Sequence, residues 1–206
     1  MDFFSSENLD SLNKIYRINL VNSITGYKSA NLIGSISNKG AENLAIFSSI
    51  THLGSNPALL SLFVRPNVVP RNTYKNIKEK KVFTVNHISK EKIDDAHHTS
   101  AKYDENISEF DKTNFQPEYK ENWGAPFVKD SAVQLGCKYV DEYYIKENGC
   151  SMIVASIEII FIRKGLLQND GWVDLSKGDI ITINGLDAYA LPETVKRLKY
   201  ARPNKN

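Results

Sequence analysis

Strand-forming segments, each closed by a turn signal, follow one another from residue 30 to residue 162, and they restrict the fold more than any other feature of the chain. Residues 30–37 (Ala-Asn-Leu-Ile-Gly-Ser-Ile-Ser) alternate weakly and end at the turn signal Asn38-Lys39-Gly40. Residues 43–49 follow at hairpin distance. Drawn out as a strand, they point Leu44 and Ile46 to one side and Asn43, Ala45, Phe47 and Ser49 to the other. Residues 59–64 form a buried-type run between Pro57 and Pro66, and residues 82–88 read as a further strand. Val133, Leu135, Cys137 and Tyr139 alternate with Gln134, Gly136 and Lys138, as in a half-buried strand. Residues 151–162 are long and rich in β-branched side chains. So many closely spaced strands predict a barrel or sandwich with helices at its ends.

Helices are expected to be few and short. Residues 73–80 start on a residue that can cap, Thr73. Ser89 can cap a helix carrying a thin stripe of Ile93, Ala96 and Ala101. Asn106-Ile-Ser-Glu109 resembles a capping box with Glu109 reaching back. No repeat or linker divides the chain, so residues 1–206 are read as one domain, with residues 1–12 a loose arm or short helix and residues 202–206 a frayed tail.

Composition excludes several classes. A net charge of +2 without basic clusters does not point to nucleic acid. The longest apolar run, residues 152–162, is interrupted by Ser156 and Glu158 and is too short to cross a bilayer. The first residues lack the basic start and long apolar stretch of a secretion signal, so a cytoplasmic protein is expected. Cys137 and Cys150 do not form a metal-spaced pair and are expected to be reduced, structural thiols.

Three clusters carry usable chemistry. In Phe47-Ser48-Ser49-Ile50-Thr51-His52-Leu53-Gly54-Ser55-Asn56-Pro57 a strand runs into a turn rich in hydroxyls and exposed amides, which suits an anion but also fits a plain polar loop. Arg71-Asn72-Thr73-Tyr74-Lys75-Asn76 places a guanidinium fork and a hydroxyl at a helix start, where unpaired amides and the helix dipole favour phosphate. The same residues also fit an ordinary capped surface helix. His97-His98-Thr99-Ser100-Ala101-Lys102-Tyr103 has adjacent histidines beside Asp94 and Asp95, but the two rings diverge on a helix and no His-Glu-x-x-His pattern is present. A charged or proton-donating rim beside a ligand fits better than a metal. There is no Walker loop, no Gly-x-Gly-x-x-Gly and no Gly-x-Ser-x-Gly, so any NAD(P)H would not be held by a Rossmann domain.

In combination these segments resemble a known family. Asn22-Ser-Ile-Thr-Gly-Tyr-Lys-Ser-Ala-Asn-Leu-Ile-Gly34, Asn43-Leu-Ala-Ile-Phe-Ser-Ser49, His52-Leu-Gly-Ser-Asn-Pro57, Arg65-Pro66, Arg71-Asn-Thr-Tyr-Lys-Asn-Ile77 and His98-Thr-Ser-Ala-Lys-Tyr103 resemble the flavin reductase-like, FMN-binding split-barrel family, and Ala125-Pro-Phe-Val128 and Gly185-Leu-Asp-Ala-Tyr189 fit one branch of it. The resemblance implies a mainly β fold with flanking helices, a six-stranded split β-barrel, and a homodimer with FMN near the interface. It implies that residues 43–49, with Asn43, Ala45, Phe47, Ser48 and Ser49, run along the flavin ring, while Ser48, Ser49, Arg71 and Thr73 gather around the phosphate and ribityl chain, with Asn76 also cofactor-binding. His52 joins this cofactor-binding set. His98, Thr99, Ser100 and Lys102 would close the site, with His98 and Lys102 as the catalytic candidates; no metal is expected. The implied activity is an oxidoreductase passing electrons from NAD(P)H through FMN to a flavin or other small acceptor. Residues 152–160 lack the Gly-Asp-His motif that many nicotinamide-using members carry on a late strand. That departure keeps open an electron carrier reduced by a partner protein, and a dimer that binds no flavin is the third reading.

Overall fold

The computed structural model describes residues 1–66, 68 and 71–203. Two helices come first, α1 (Ser6–Ser11) and α2 (Lys14–Ser23). Ser5 closes a capping box on α1: its hydroxyl accepts the Asn8 N–H while the Asn8 side chain accepts the Ser5 N–H. The sequence reading anticipates the short α1 but misses α2, which has no buried residue and hence no strong apolar stripe to show.

The strands are β1 (Lys28–Ser29), β2 (Asn31–Ile36), β3 (Glu42–Phe47), β4 (Thr51–Ser55), β5 (Ala58–Val64), β6 (Val82–His87), β7 (Pro117–Glu118), β8 (Phe127–Val128), β9 (Val133–Ile145), β10 (Cys150–Ile162), β11 (Thr182–Asn184) and β12 (Ala188–Ala190). Helix α3 (Asn72–Lys80) lies between β5 and β6, and α4 (Ile93–His98) follows β6. The principal sheet has seven strands in the order β3-β2-β6-β9-β10-β5-β4, one more than the six expected; β1-β11-β12 and β7-β8 form small sheets beside it. The added strand is β4, which the sequence reading takes for a polar turn because Thr51, His52 and Gly54 lack an apolar alternation.

The order of the sheet explains why it must curl. Strands β3 and β4 are its two edges, yet only residues 48–50 separate them along the chain. Six flat inter-strand steps would hold the edges roughly 29 Å apart. The four Cα steps from Phe47 to Thr51 reach at most about 15 Å. The edges therefore converge at that end and the sheet curls into a barrel that stays unpaired between β3 and β4. Ser49 secures the seam: its hydroxyl donates to the Phe63 carbonyl and accepts the Phe63 N–H, both at 3.1 Å, so a side chain takes the place of a backbone ladder pair. The Ser29 hydroxyl donates to the Ile50 carbonyl at 3.2 Å beside it.

Alternation along the strands builds a core on each face of the sheet. Ile33, Leu62, Phe83, Val85, Cys137 and Ile153 pack together, joined by Ile77 of α3. Leu32, Leu44, Ile88, Phe110, Phe115 and Ile181 pack on the opposite face, with Ala96 of α4. Neighbouring Leu32 and Ile33 thus serve different cores, as the period of two requires. Cys137 is buried and Cys150 half-buried, both as free thiols, and burial pushes the Cys137 pKa well above its ordinary value.

A buried polar clamp ties residues 125–128 to the sheet. Thr84 Oγ1 donates to the Pro126 carbonyl at 2.6 Å, Asn86 Oδ1 accepts the Val128 N–H at 3.0 Å, and Gln134 Nε2 donates to the Val128 carbonyl at 2.6 Å. His87 ends β6. Its ring is surrounded by protein although part of it reaches solvent, and burial lowers its pKa to about 4. The unfolded chain takes up that proton near the ordinary value of 6.5. The stability held by the neutral ring is thus complete above that value and drains away as pH falls toward 4. His87→Gln is expected to remove part of this acid-side loss, on the order of 2 kcal/mol, seen as a shallower fall of thermal midpoint between pH 7 and pH 4.

Candidate functional site

Strand β3 carries the site because one of its long sides is open. Its partner β2 occupies the other side. The Ser37 N–H donates to the Ala41 carbonyl at 2.9 Å, which makes 35/43, 33/45 and 31/47 the pairs that exchange ladder bonds. The backbone groups of Leu44 and Ile46 therefore face outward. The Leu44 N–H is taken by the Glu109 carboxylate at 2.8 Å. From there toward Ile46, alternating acceptors and donors face away from the sheet.

One end of this edge meets α3. The Asn43 side-chain amide donates to Thr73 Oγ1 at 2.9 Å and to Ser35 Oγ at 3.3 Å, and Asn76 donates to Ser35 Oγ at 3.2 Å. All four side chains are buried. Asn43, Thr73 and Asn76, each predicted to hold cofactor, are thus joined through the Asn43–Thr73 bond and through Ser35, and fasten the start of α3 to β2 and β3. The helix does not start on Thr73 as expected: Arg71 is its N-cap and no side chain caps it. Arg71 Nε donates to the Pro66 carbonyl at 3.3 Å, and its terminal amino groups have no partner among the described residues. A guanidinium and the first amides of a helix therefore share one location, a donor set suited to phosphate.

The other flank is the segment leaving α4. The helix ends at His98, so Ala101 lies beyond it and is exposed rather than part of an apolar stripe. His97 Nδ1 and the Tyr189 hydroxyl are 2.9 Å apart, and His98 Nε2 lies 2.6 Å from the Tyr103 hydroxyl. The two histidines diverge as expected. The described residues contain no cluster able to hold a metal ion. Thr99 is buried and returns its hydroxyl to the Ala96 carbonyl at 2.7 Å, while Ser100 and Lys102 are exposed. Glu105 bridges Lys75 of α3 at 3.1 Å and Lys39 of the β2–β3 turn at 3.5 Å; the two ammonium groups, Lys75 foremost, hold its carboxyl below the usual range. Residues 98–109 thus run past β3 and reach α3.

Other predicted residues are placed differently. Ala45 and Phe47 share the Asn43 side of β3, and Phe47 packs on the inner core. Ser48 lies in the three-residue connection between the edges, half-buried, and the Ser49 side chain is spent on the barrel seam. His52 is exposed on β4 and bonds Ser55 Oγ at 3.1 Å. Ser89 occupies a cap position without making a side-chain cap bond. Glu109 does not complete a capping box with Asn106: Ser108 caps the short 3-10 turn Glu109–Lys112, and Glu109 turns to β3. The sequence reading therefore misses Ser35 and the real work of Glu109; an acidic residue just ahead of Phe110 in a buried turn is the one signal that could have marked it.

A cleft of about 170 Å³ opens between the β2–β3 turn and α3, lined by Asn43, Asn72, Lys75, Asn76 and Glu105. It is smaller than the roughly 300–1,000 Å³ of ordinary ligand pockets, so a large flat ligand fits the open edge of β3 better than this cleft.

Comparison with known proteins agrees with this geometry. The model of the flavin reductase-like domain matches residues 28–172. A crystal structure from Shewanella frigidimarina NCIMB 400, described as a candidate flavin reductase with a split barrel domain, is 38% identical; the match covers 98% of this chain and 100% of that one with a TM-score of 0.94. An FMN-binding protein from Thermus thermophilus, solved with 1-cyclohex-2-enone, shares the fold at 14% identity and a TM-score of 0.69, over 85% of this chain and 93% of its own. An uncharacterised protein of Aquifex aeolicus (strain VF5) is 30% identical over 116 residues, and the match spans 54% of this chain and 59% of that relative. The split barrel, the open β3 edge beside a helix start and the matched domain together make this chain a member of the flavin reductase-like family.

Proposed function

We propose that the chain binds FMN along the open edge of β3 and acts as an oxidoreductase, passing electrons from NAD(P)H through the flavin to a second flavin or another small acceptor. One observation carries this reading: an unpaired strand edge runs beside a helix start that bears a guanidinium fork. FMN needs both features at once, because it joins a flat ring with a polar edge to a dianionic phosphate. When bound, it supplies the hydride and electron chemistry.

The chain's own residues position and tune. Arg71 and the first amides of α3 receive the phosphate. The outward groups of Leu44 and Ile46 and the amide of Ser48 meet the ring's polar edge. Asn43, Thr73 and Asn76 act one layer back, holding α3 at a fixed height against β3. Lys102 adds positive charge where the ring gains electrons. His98, joined to Tyr103, holds a proton at the rim. Such an edge is shallow, and a second copy of the chain laid over it would shield the ring from water, which supports a homodimer.

Stopped-flow absorbance of the FMN-loaded protein mixed with NADH or NADPH tests the reading. Bleaching of the flavin band within seconds is expected with at least one of them. The departure at residues 152–160 favours one other reading, an FMN-bearing electron carrier reduced by a protein donor. A stable flavin band with both nicotinamides, together with tight FMN, would select the carrier.

A further inference from the structure

Glu109 does something unusual for a carboxylate. It is 5% exposed, it makes no ion pair among the described residues, and it accepts the Leu44 N–H at 2.8 Å from outside the sheet. It stands where the next strand of the sheet would begin. An open edge is a template for any extended chain, and a buried acid planted on it stops pairing at that point. The turn that carries Glu109 is itself anchored. Phe110 packs with Leu44, Ala96 and Phe115, and Thr113 Oγ1 donates to the Glu109 carbonyl at 2.8 Å.

We propose that Glu109 is a positioning residue of the flavin site: by holding the Leu44 N–H it keeps the β3 edge extended and open toward Ile46, and its unpaired negative charge beside that edge makes the bound flavin harder to reduce. The inference rests on the flavin reading given above. Geometry supplies the first half, since the groups left facing outward begin one atom group beyond the bond that Glu109 makes. Electrostatics supplies the second. A charge largely shielded from water is weakly screened, and no cation pairs with it among the described residues. Burial raises the Glu109 pKa, opposed by the N–H groups of Leu44 and of Glu109 itself, so the fold bears a real cost for keeping this acid where it is.

Two variants separate the roles. In Glu109→Gln the amide oxygen still accepts the Leu44 N–H while the charge is gone. The FMN dissociation constant, from flavin fluorescence quenching, is expected to stay within about threefold of wild type, and the midpoint potential, from equilibrium dye titration, to move positive. Its melting temperature is expected to equal or exceed the wild-type value, because a buried charge has been removed. Glu109→Ala also loses the bond, and FMN binding is expected to weaken by about tenfold or more. An unchanged potential in Glu109→Gln overturns the electrostatic half even if Glu109→Ala fails to fold. Unchanged affinity in a folded Glu109→Ala overturns the positioning half. Wild-type protein that takes up no FMN removes the flavin reading itself, an outcome distinct from equal behaviour of wild type and variants.

Discussion

Gly34→Ala is expected to cost about 3–5 kcal/mol and to lower the urea midpoint accordingly. A Cβ at position 34 would sit 2.1 Å from the Pro126 carbonyl oxygen and 2.5 Å from Thr84 Oγ1. Neither atom can yield freely. The Pro126 carbonyl is bonded to Thr84, and the adjoining Val128 is held by Asn86 and Gln134. Pushing the 125–128 segment away would break this buried clamp and leave polar groups without partners, each costing about 1–3 kcal/mol. The loss is a large fraction of the roughly 5–15 kcal/mol that holds a domain folded. A midpoint within error of wild type would show that the segment yields easily, and the clamp would then not be the rigid element described.

Arg71→Ala is expected to weaken FMN binding by more than tenfold, about 1.4 kcal/mol or more, with little change in melting temperature of the ligand-free protein. Among the described residues the guanidinium makes one bond, to the Pro66 carbonyl, so the fold is expected to lose little by its removal. Hydrogen bonds to a charged partner contribute roughly 1.5–3 kcal/mol each, and a phosphate would lose at least one. Arg71→Lys should recover part of the affinity, since it restores the charge without the planar fork. An unchanged dissociation constant in Arg71→Ala would mean that the helix amides hold the phosphate alone.

The strands were readable because their residues alternate or form apolar runs and their turns carry Gly, Pro and Asn: β2, β3, β5, β6 and β10 lie where the pattern puts them, and β9 starts there but runs on from Tyr139 to Ile145. Strand β4 was not, because an edge strand exposed along most of its length needs no apolar period. The small sheet of β1, β11 and β12 joins residues far apart in sequence through strands of two or three residues, too short for any period to register. For the site, residue type located the segments but not the division of labour. Asn43, Thr73 and Asn76 are polar residues beside a helix start, as a ligand site would have, and they are also joined into a structural network, Asn43 to Thr73 and both asparagines to Ser35. That distinction depends on distances between β2, β3 and α3, which no local pattern contains.

The three-residue connection that joins the sheet's two edges also sets an order of assembly. The β2–β3, β4–β5 and β9–β10 hairpins join neighbours in the chain and can form early, whereas β5 must find β10 across a long stretch, with Leu62 ending opposite Ile153. The Ser49–Phe63 bonds extend the β4–β5 hairpin and can form with it, but the barrel is complete only once β5 has docked on β10. A ligand that needs β3 together with α3 and the turn at Glu109 recognises the finished barrel and nothing before it. Such a ligand would slow unfolding while leaving the rate of folding unchanged, so bound flavin would act as a latch on a completed molecule rather than as a nucleus for an unfinished one.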